Sequence, residues 1–349
     1  MSYEGVEIDM LNLGNADSIL VTRWQAGVPS RILIDGGKTG DAQTILDFLK
    51  ARGISYLDHV VCSHPHEDHV GGLVEIVESR EIDFGQAWLH LPWNHVDRNT
   101  LGAALVENAE RARRVVKILN ASMEVSQDLV RAIQARGRTV REPFQGENIG
   151  FLFVCGPSMD FYRRLLSEFT DFEKLKSMED ALVVNEQREF MEEFWEGART
   201  GGKATEVEGT GLGQAPTEPE NNSSTILWMK FAEDALLFTA DAGVEALDAA
   251  RQAYNIGGLR WMQIPHHGSR RNVNEELIAH FRPQIAFVSA DGTRKHPRRA
   301  AVNAFKAVGT AVFSTHYPPP DGGNKRFCLG VVPERSGYSP ATPLYEADE

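Results

Sequence analysis

Three histidines and one aspartate lie within the six residues from His64 to His69, in the segment SHPHEDH. Imidazole nitrogens and carboxylate oxygens are ligands of zinc, and also of manganese and iron. His64 and His66 are one residue apart and can converge on one ion from a loop, whereas Asp68 and His69 can point at a second ion close by. A loop that is rich in histidine by chance is the alternative. Because the chain holds only 11 histidines in 349 residues, the spacing favours chelation.

Two later segments carry polar side chains at the ends of apolar runs. The run LLFTAD ends in Asp241, and a buried strand that ends in a carboxylate is costly unless the charge meets a cation or hydrogen-bond donors. A cap of the helix that begins near Gly243 is the alternative. The run QIPHHGS brings His266 and His267 to a similar position. Beside the histidine cluster, we expect Asp241 to bridge two metal ions and His267 to be a ligand, with His266 as its neighbour or substitute.

Short strands that alternate with helices must position these residues. Val6, Ile8 and Met10 alternate with other residues along a first strand. Apolar runs bounded by turn residues predict further buried strands at 18–22, 31–37, 59–62, 150–155, 224–230, 235–240, 261–265 and 285–289. The pair Gly71 and Gly72 predicts a sharp backbone turn before the next helix. The pattern indicates a layered α/β domain.

The middle of the chain differs from its two ends. Residues 97–200 show helical periodicity with Arg and Glu on the outer face, interrupted by one strand-like piece. Residues 200–220 are rich in Gly, Pro, Thr and Glu, which predicts a flexible loop. We therefore expect a single domain over residues 1–349, with a helical insertion at 97–200 that forms either a lid over the substrate pocket or an interface between subunits of an oligomer.

Composition excludes several classes of protein. The chain carries 36 Lys and Arg against 49 Asp and Glu, and its formal charge of −13 argues against a protein that coats nucleic acid by electrostatics alone. It lacks an apolar run of about 18 residues and a basic, then apolar, leader, so we expect neither a membrane span nor a signal peptide. Cys62, Cys155 and Cys328 predict buried thiols in a reducing compartment. We therefore expect a cytoplasmic protein.

Taken in order, these motifs resemble the metallo-β-lactamase superfamily. The blocks NLGNADSIL, LIDGG, NNSS before LLFTADA, PHHGS and KHP narrow the resemblance to the hydrolase domain of the competence protein ComEC and its stand-alone relatives. The similarity covers roughly residues 6–95 and 220–317 and does not extend over the helical middle of the chain. It implies a four-layer αββα sandwich with a helical insertion, and two divalent metal ions at one edge between the sheets. Zinc is the first expectation and manganese the alternative.

The resemblance also implies a role for each motif residue. In it, His64 and His66 hold the first metal, Asp68, His69 and His267 hold the second, and Asp241 bridges them. Many members supply a further histidine to the first metal before the bridging aspartate. His90 and His95 are the only histidines in that interval, and we interpret both as structural or substrate-facing. In ComEC-like relatives the NNSS block occupies this stretch, so Asn222 is expected near the first metal.

The expected chemistry is hydrolysis by a hydroxide that the two cations generate near neutral pH. Asp68 would orient that hydroxide, and His296 would protonate the leaving group, although a structural or capping histidine is the alternative. Residues 260–300 hold eight Lys or Arg and three Asp or Glu, a local charge of +5. The alternative is that these basic residues form a solvent-exposed surface with no role in binding. Because arginine forks match phosphate oxygens, we instead expect a substrate-binding set at this edge, formed by Arg270, Arg271, Lys295 and Asn222.

These residues favour a phosphodiesterase or nuclease, acting on a phosphate-bearing small molecule or on nucleic acid. A hydrolase of esters, thioesters or lactams is the second hypothesis. A non-hydrolytic effector module with structural metals is the third.

Overall fold

The computed structural model describes residues 2–95, 124–169, 212–290, 296–315 and 323–338. The strands of these ranges are β1 (Glu4–Met10), β2 (Ile19–Gln25), β3 (Val28–Ile34), β4 (Tyr56–Val61), β5 (Asp83–Trp88), β6 (Val140–Arg141), β7 (Asn148–Ile149), β8 (Leu152–Gly156), β9 (Ile226–Phe231), β10 (Asp234–Phe238), β11 (Trp261–Gln263), β12 (Ile285–Val288), β13 (Ala311–Ser314) and β14 (Lys325–Val331). The helices are α1 (Ala42–Ala51), α2 (Glu67–Ser79), α3 (Glu124–Ala135), α4 (Met159–Phe169), α5 (Pro219–Asn222), α6 (Val244–Tyr254), α7 (Glu275–Phe281) and α8 (Arg299–Ala307). Short 3-10 turns lie at Pro92–Asn94 and His266–Gly268.

The described strands form two seven-stranded sheets with the same internal pattern. The first has the order β14-β1-β2-β3-β4-β5-β6, and the second has the order β13-β12-β11-β10-β9-β8-β7. In each sheet one half is antiparallel and the other is parallel, with the parallel half running from β3 to β6 in the first sheet and from β10 to β13 in the second. Parallel strands place their carboxyl ends at one edge, where α/β proteins bind ligands.

Apolar side chains explain the four layers. Val6, Ile8 and Met10 all point into a core between the two sheets, as their alternation predicts, and they meet Trp261 and Phe287 from the second sheet. Helices α1, α2 and α3 pack their buried residues on the outer face of the first sheet. Helices α6, α7 and α8 do the same on the second sheet. The αββα sandwich expected from the sequence is therefore confirmed.

The middle of the chain contributes to the sheets as well as to helices. Residues 97–123 and 170–200 of the predicted helical insertion lie outside the described ranges. Between them, α3 and α4 are helical as predicted, but β6 joins the first sheet and β7 and β8 join the second. The predicted strand at 150–155 is present as β8. Of the predicted flexible loop at 200–220, residues 200–211 lie outside the described ranges, and α5 begins at Pro219.

The prediction for Gly71 and Gly72 was wrong. Both lie inside α2, which begins at Glu67, and neither makes a turn before the helix. A Cβ on Gly72 would collide with the backbone oxygen of Gly36, and one on Gly71 would collide with the backbone nitrogen of Thr39. The two glycines therefore let α2 pack directly against the loop that follows β3.

The outer face of β1 is polar and is covered by the segment after β14. Glu7 is fully buried, accepts a hydrogen bond from Trp24 Nε1 and pairs with Arg326 and Arg335. Asp9 is also buried and accepts a hydrogen bond from the hydroxyl of Tyr338.

None of the helices in the described ranges has both the length and the apolar character that a membrane span requires.

Candidate metal centre

Five strand ends meet at the edge between the two sheets. Asp35 follows β3, and the segment from Ser63 to His69 runs from the end of β4 into α2. In the second sheet, Asp241 follows β10, the turn His266–Gly268 follows β11, and Ser289 follows β12. The parallel order of these strands brings all five segments together.

His69 lies at the centre of the cluster. Its Nδ1 is 2.8 Å from Oδ2 of Asp35 and 3.9 Å from Oδ2 of Asp17. On the other side of the ring, Nε2 is 3.4 Å from Oδ1 of Asp241 and 3.9 Å from Oδ1 of Asp68. One nitrogen is thus held by carboxylates, and the other faces two of the predicted ligands.

His64 and His267 flank this centre. Nε2 of His64 lies 3.7 Å from Oδ2 of Asp241, and Nε2 of His267 lies 3.3 Å from Oδ2 of Asp68. Two of the four sets of described residues with ligand atoms within 4.8 Å of one another lie here, namely His64, His69 and Asp241, and Asp68, His69 and His267. Five of the six residues predicted as ligands fall into these sets.

The sixth, His66, lies at the rim of the cluster. Its ring centroid is 4.8 Å from that of His64, and its Nε2 is 3.5 Å from Oε2 of Glu218. His266 also lies at the site, with Nε2 3.7 Å from Oδ2 of Asp241, so both residues of the histidine pair reach the cluster.

Hydrogen bonds fix the tautomer and orientation of the inner histidines. Nδ1 of His267 donates to the carbonyl oxygen of Ser289 at 2.8 Å, so Nε2 is the ring nitrogen that faces Asp68. Asp35 accepts from both the backbone N–H and the hydroxyl of Ser63, each at 2.7 Å, as well as facing His69. Such carboxylate–histidine pairs behind a metal ligand orient the ring and increase its basicity.

The backbone at the histidine pair is unusual. His266 and His267 have φ angles of 48° and 52°, in the left-handed region that costs about 1–3 kcal/mol for residues other than glycine. The neighbouring Gly268 has φ of 84°, and a Cβ there would lie 2.7 Å from Cβ of Pro297. This strained turn directs both imidazoles towards Asp241 and Asp68.

The electrostatics show that the cluster favours added positive charge. Burial disfavours a charged His69, yet Asp241, Asp35 and Asp68 outweigh it and raise the pKa of His69 well above its ordinary value. Burial likewise lowers the pKa of His267, but Asp68 and Asp17 dominate and raise it to about 9. In contrast, burial and the neighbouring His69 hold the pKa of His64 well below its usual value.

The donor set fits divalent cations. Nε2 of His64, Nε2 of His69 and Oδ1 of Asp241 are buried polar atoms without a hydrogen-bond partner among the described residues. Buried polar groups are normally paired, so three such atoms on neighbouring side chains indicate a missing partner. Imidazole and carboxylate together suit zinc, and also manganese or iron, so the identity of the ion stays open.

The predicted catalytic and substrate residues reach the site unequally. The His296 ring lies 5.3 Å from that of His266 and is 6% exposed. Arg270 is 8% exposed and lies two residues after the histidine turn, and Arg271 comes next. The Oδ1 atom of Asn222 accepts a hydrogen bond from the backbone of Gly243. Lys295 lies outside the described residues.

The basic residues of the segment 260–300 do not all lie beside the cluster. Arg298 is 5% exposed, and its backbone N–H donates to the carbonyl oxygen of Gly268 beside the site. Arg260 precedes β11 and contacts Gln284, at the end of the strand opposite the histidine turn. Only part of the basic segment therefore faces the cluster.

His90 and His95 belong to an aromatic cluster and to none of the potential metal-binding groups of the described residues. The ring of His90 stacks on Tyr162 with centroids 4.5 Å apart, and burial lowers the pKa of His90 to about 3. Nε2 of His95 lies 2.8 Å from Oε1 of Glu142.

Four carboxylates of the site were not singled out as functional in the sequence. Asp17 and Asp35 hold the inner histidines, and Glu218 and Glu220 lie within 4.8 Å of His66 by their ligand atoms. For Asp35 a signal existed, since it ends an apolar run in the same way as Asp241. Glu218 lies within a segment rich in Gly, Pro, Thr and Glu, where nothing distinguishes it.

The sequence of the chain is similar to those of several known proteins. Residues 13–89 match the sequence model of the metallo-beta-lactamase superfamily. ComE operon protein 3 of Bacillus subtilis (strain 168) is 21% identical over 338 residues, which are 90% of this chain and 32% of that protein. Recombination protein 2 of Haemophilus influenzae is 30% identical over 74 residues, 21% of this chain and 9% of that protein. The chain thus spans a third or less of the length of these relatives.

Among solved structures, the metallo-beta-lactamase fold protein YhfI from Bacillus subtilis aligns with 93% of this chain and 100% of its own, at 9% identity and a TM-score of 0.42. The matched segment from residue 13 to 89 contains the whole of the His64–His69 motif and Asp35. The chain is therefore similar to the metallo-beta-lactamase superfamily over residues 13–89, and it is similar to ComE operon protein 3 over most of its own length.

Proposed function

We propose that the chain is a metal-dependent hydrolase of phosphodiesters, with nucleic acid or a smaller phosphate ester as substrate. The observation that carries the proposal is a buried histidine–aspartate cluster beside two nearly buried arginines, Arg270 and Arg298. A guanidinium presents a planar fork of donors that matches phosphate oxygens. A positively charged side chain suits a charged ester better than a neutral one.

Different residues of the chain would have different roles in hydrolysis. His64, His66, His69, Asp68, Asp241 and His267 would hold two divalent cations. When bound, such ions would lower the pKa of a water molecule and stabilise charge on the attacked centre. The carboxylate of Asp68 lies 3.3 Å from His267, where it can orient the nucleophile. His296 is close enough to the His266 side of the cluster to give a proton to the leaving group.

Two further features support the biological setting that we propose. The name of one relative, Recombination protein 2, refers to a process of DNA, which favours nucleic acid as the substrate class. The cysteines are free, and burial raises the pKa of the Cys155 thiol to about 12, so it is an inert thiol of the kind found in a reducing compartment. We therefore propose a cytoplasmic location.

A comparison of substrate classes tests the proposal. Zinc-loaded and manganese-loaded protein would be assayed with a bis-aryl phosphate, with single-stranded DNA and with a thioester. We expect turnover of the two phosphodiesters. Turnover of the thioester alone would show that the substrate class is wrong, and metal-loaded protein that cleaves none of the three would favour a binding module.

A further inference from the structure

The rim of the cluster carries a second group of ligand-type side chains. Ligand atoms of His66, Glu218 and Glu220 all lie within 4.8 Å of one another. Nε2 of His66 lies 3.5 Å from Oε2 of Glu218. The side chains of His66 and Glu218 are 29% and 42% exposed, so the group is open to solvent on one side. One imidazole with two carboxylates forms a donor set that suits a divalent cation.

This rim is continuous with the buried floor of the site. The rings of His64 and His66 lie 4.8 Å apart, and Nε2 of His64 is fully buried without a hydrogen-bond partner among the described residues. The same nitrogen lies 3.7 Å from Oδ2 of Asp241. The side of the cluster formed by His64 and His66 therefore has one unsatisfied nitrogen from the floor and a histidine–carboxylate pair from the rim.

Hydrogen bonds fix the segment that carries the two glutamates. Nδ2 of Asn221 donates to Oγ1 of Thr217 at 2.9 Å and lies 3.2 Å from Nδ1 of His266. The next residue, Asn222, accepts a hydrogen bond from the backbone of Gly243 at 3.1 Å. A Cβ at Gly243 would collide with that amide oxygen, which explains why glycine occupies the position. Helix α5 is thus attached to the loops that carry Asp241 and His266.

We propose that Glu218, assisted by Glu220, supplies carboxylate oxygen to the ion held by His64 and His66. The inference rests on the proposed metal-dependent function. An oxygen ligand in place of a nitrogen shifts the site towards harder cations, so this ion site favours manganese relative to zinc more strongly than an all-histidine site would.

Metal titration of the full, metal-stripped chain tests this inference without recourse to activity. Calorimetry with Mn²⁺ and Zn²⁺, together with electron paramagnetic resonance of bound Mn²⁺, reports the number of ions and their affinities. We expect two ions in the wild type. Glu218→Gln keeps the shape but removes the charge, and it should weaken Mn²⁺ binding at one site by at least about tenfold.

Two further variants separate a ligand from a bystander. Glu218→His should restore binding at the weakened site but favour Zn²⁺, which a purely structural role would not produce. Glu233→Gln, in the exposed turn between β9 and β10, should bind both ions as the wild type does. Unchanged Mn²⁺ affinities at both sites in Glu218→Gln would overturn the inference. A third outcome separates the two hypotheses. If the wild type binds two ions and Glu218→Gln binds one, but the wild type cleaves no phosphodiester, the metal-site inference is supported and the proposed substrate class is wrong.

Discussion

At the scale of single residues, the site depends on carboxylates that face the Nδ1 atoms of its histidines. Asp35 faces Nδ1 of His69 and also accepts two hydrogen bonds from Ser63, so it links the strand end to the ring orientation. Asp17 accepts from Gln263 and Ser289 and faces His267. Both aspartates face Nδ1 atoms of these histidines, and ligand atoms of Asp17, Asp35 and His69 lie within 4.8 Å of one another. Their role is to fix the direction in which the histidine nitrogens point.

The substitution Asp35→Asn tests this role. An amide cannot accept from His69 as strongly as a carboxylate does, so we expect metal affinity to fall by about 10- to 100-fold. Calorimetric titration with Mn²⁺ measures the loss, and Asp47→Asn, exposed on α1, is the matched control. Equal affinities for Asp35→Asn and the wild type would mean that His69 does not need the Asp35 carboxylate in order to bind metal.

Asp9 allows a prediction about stability and pH. Burial raises its pKa from 3.8 to about 6, against the opposing effects of Tyr338 and Arg52. A raised pKa means that the folded state binds the proton more tightly, so its contribution to stability is present at low pH and is lost as pH rises from about 4 through about 6. Two pKa units correspond to on the order of 3 kcal/mol.

We therefore expect Asp9→Asn, which is neutral at every pH, to gain stability relative to the wild type between pH 4 and pH 7.5. Urea unfolding at both values measures the difference, and Asp47→Asn serves as the reference. A difference between variant and wild type that is independent of pH would contradict the argument.

At this scale the sequence identifies residues whose type alone implies chemistry. The His64–His69 motif, Asp241 and the histidine pair could be predicted because histidines are few and because each group follows an apolar run. Glu218 could not, since glutamate is common and its contact with His66 depends on a pairing across 152 positions of the chain. Spacing within a motif is visible in a sequence, whereas contacts between distant segments are set by the fold.

At the scale of elements, α2 must approach the loop after β3 closely enough to position His69. The backbone N–H of Gly36 donates to the carbonyl of His69, and that of Gly72 donates to Gly37. Gly36 also lies against Leu73. A Cβ added to Gly36 would come within 2.5 Å of the backbone nitrogen of Leu73. The first turns of the helix and the loop therefore form one rigid unit.

The substitution Gly72→Ala should separate the helix from this loop. The added methyl group meets the backbone oxygen of Gly36, which cannot move like a side chain, so we expect a loss of about 1–3 kcal/mol in the free energy of unfolding. Chemical denaturation measures it. The control Glu78→Ala, exposed on the same helix, should change stability little. If Gly72→Ala unfolds at the same denaturant concentration as the wild type, the close packing is not required.

Most elements could be predicted from apolar periodicity, but the way in which they close the sheets could not. Strand β14 pairs with β1 through contacts such as Val6 with Leu329, and β6 extends the first sheet with two residues. Neither strand has a distinctive pattern of its own. Their positions follow from the pairing of unsatisfied sheet edges, which is a tertiary effect.

At the scale of the whole molecule, the fold concentrates charge where a cation can neutralise it. The chain carries a net charge of −13, and Asp17, Asp35, Asp68 and Asp241 crowd around His69 and His267 in the interior. These carboxylates repel one another in the absence of a cation. Metal binding should therefore stabilise the fold as well as prepare the site.

Removal of metal should lower the melting temperature of the full chain. An ion at a free concentration 100 times its dissociation constant stabilises the folded state by about 2.7 kcal/mol. Differential scanning fluorimetry with a chelator, then with Mn²⁺ or Zn²⁺ restored, measures the shift. The double variant His64→Ala with His66→Ala should respond less to added metal than the wild type does, and equal responses would place the stabilising ions elsewhere.

The central claim is that the histidine–aspartate cluster carries out phosphodiester hydrolysis through bound metal. The most direct test compares cleavage of single-stranded DNA and a bis-aryl phosphate by metal-loaded wild type and by the His64→Ala, His66→Ala double variant, with folding of both checked by circular dichroism. We predict turnover by the wild type and none by the folded double variant. Turnover that persists in that variant would contradict the account.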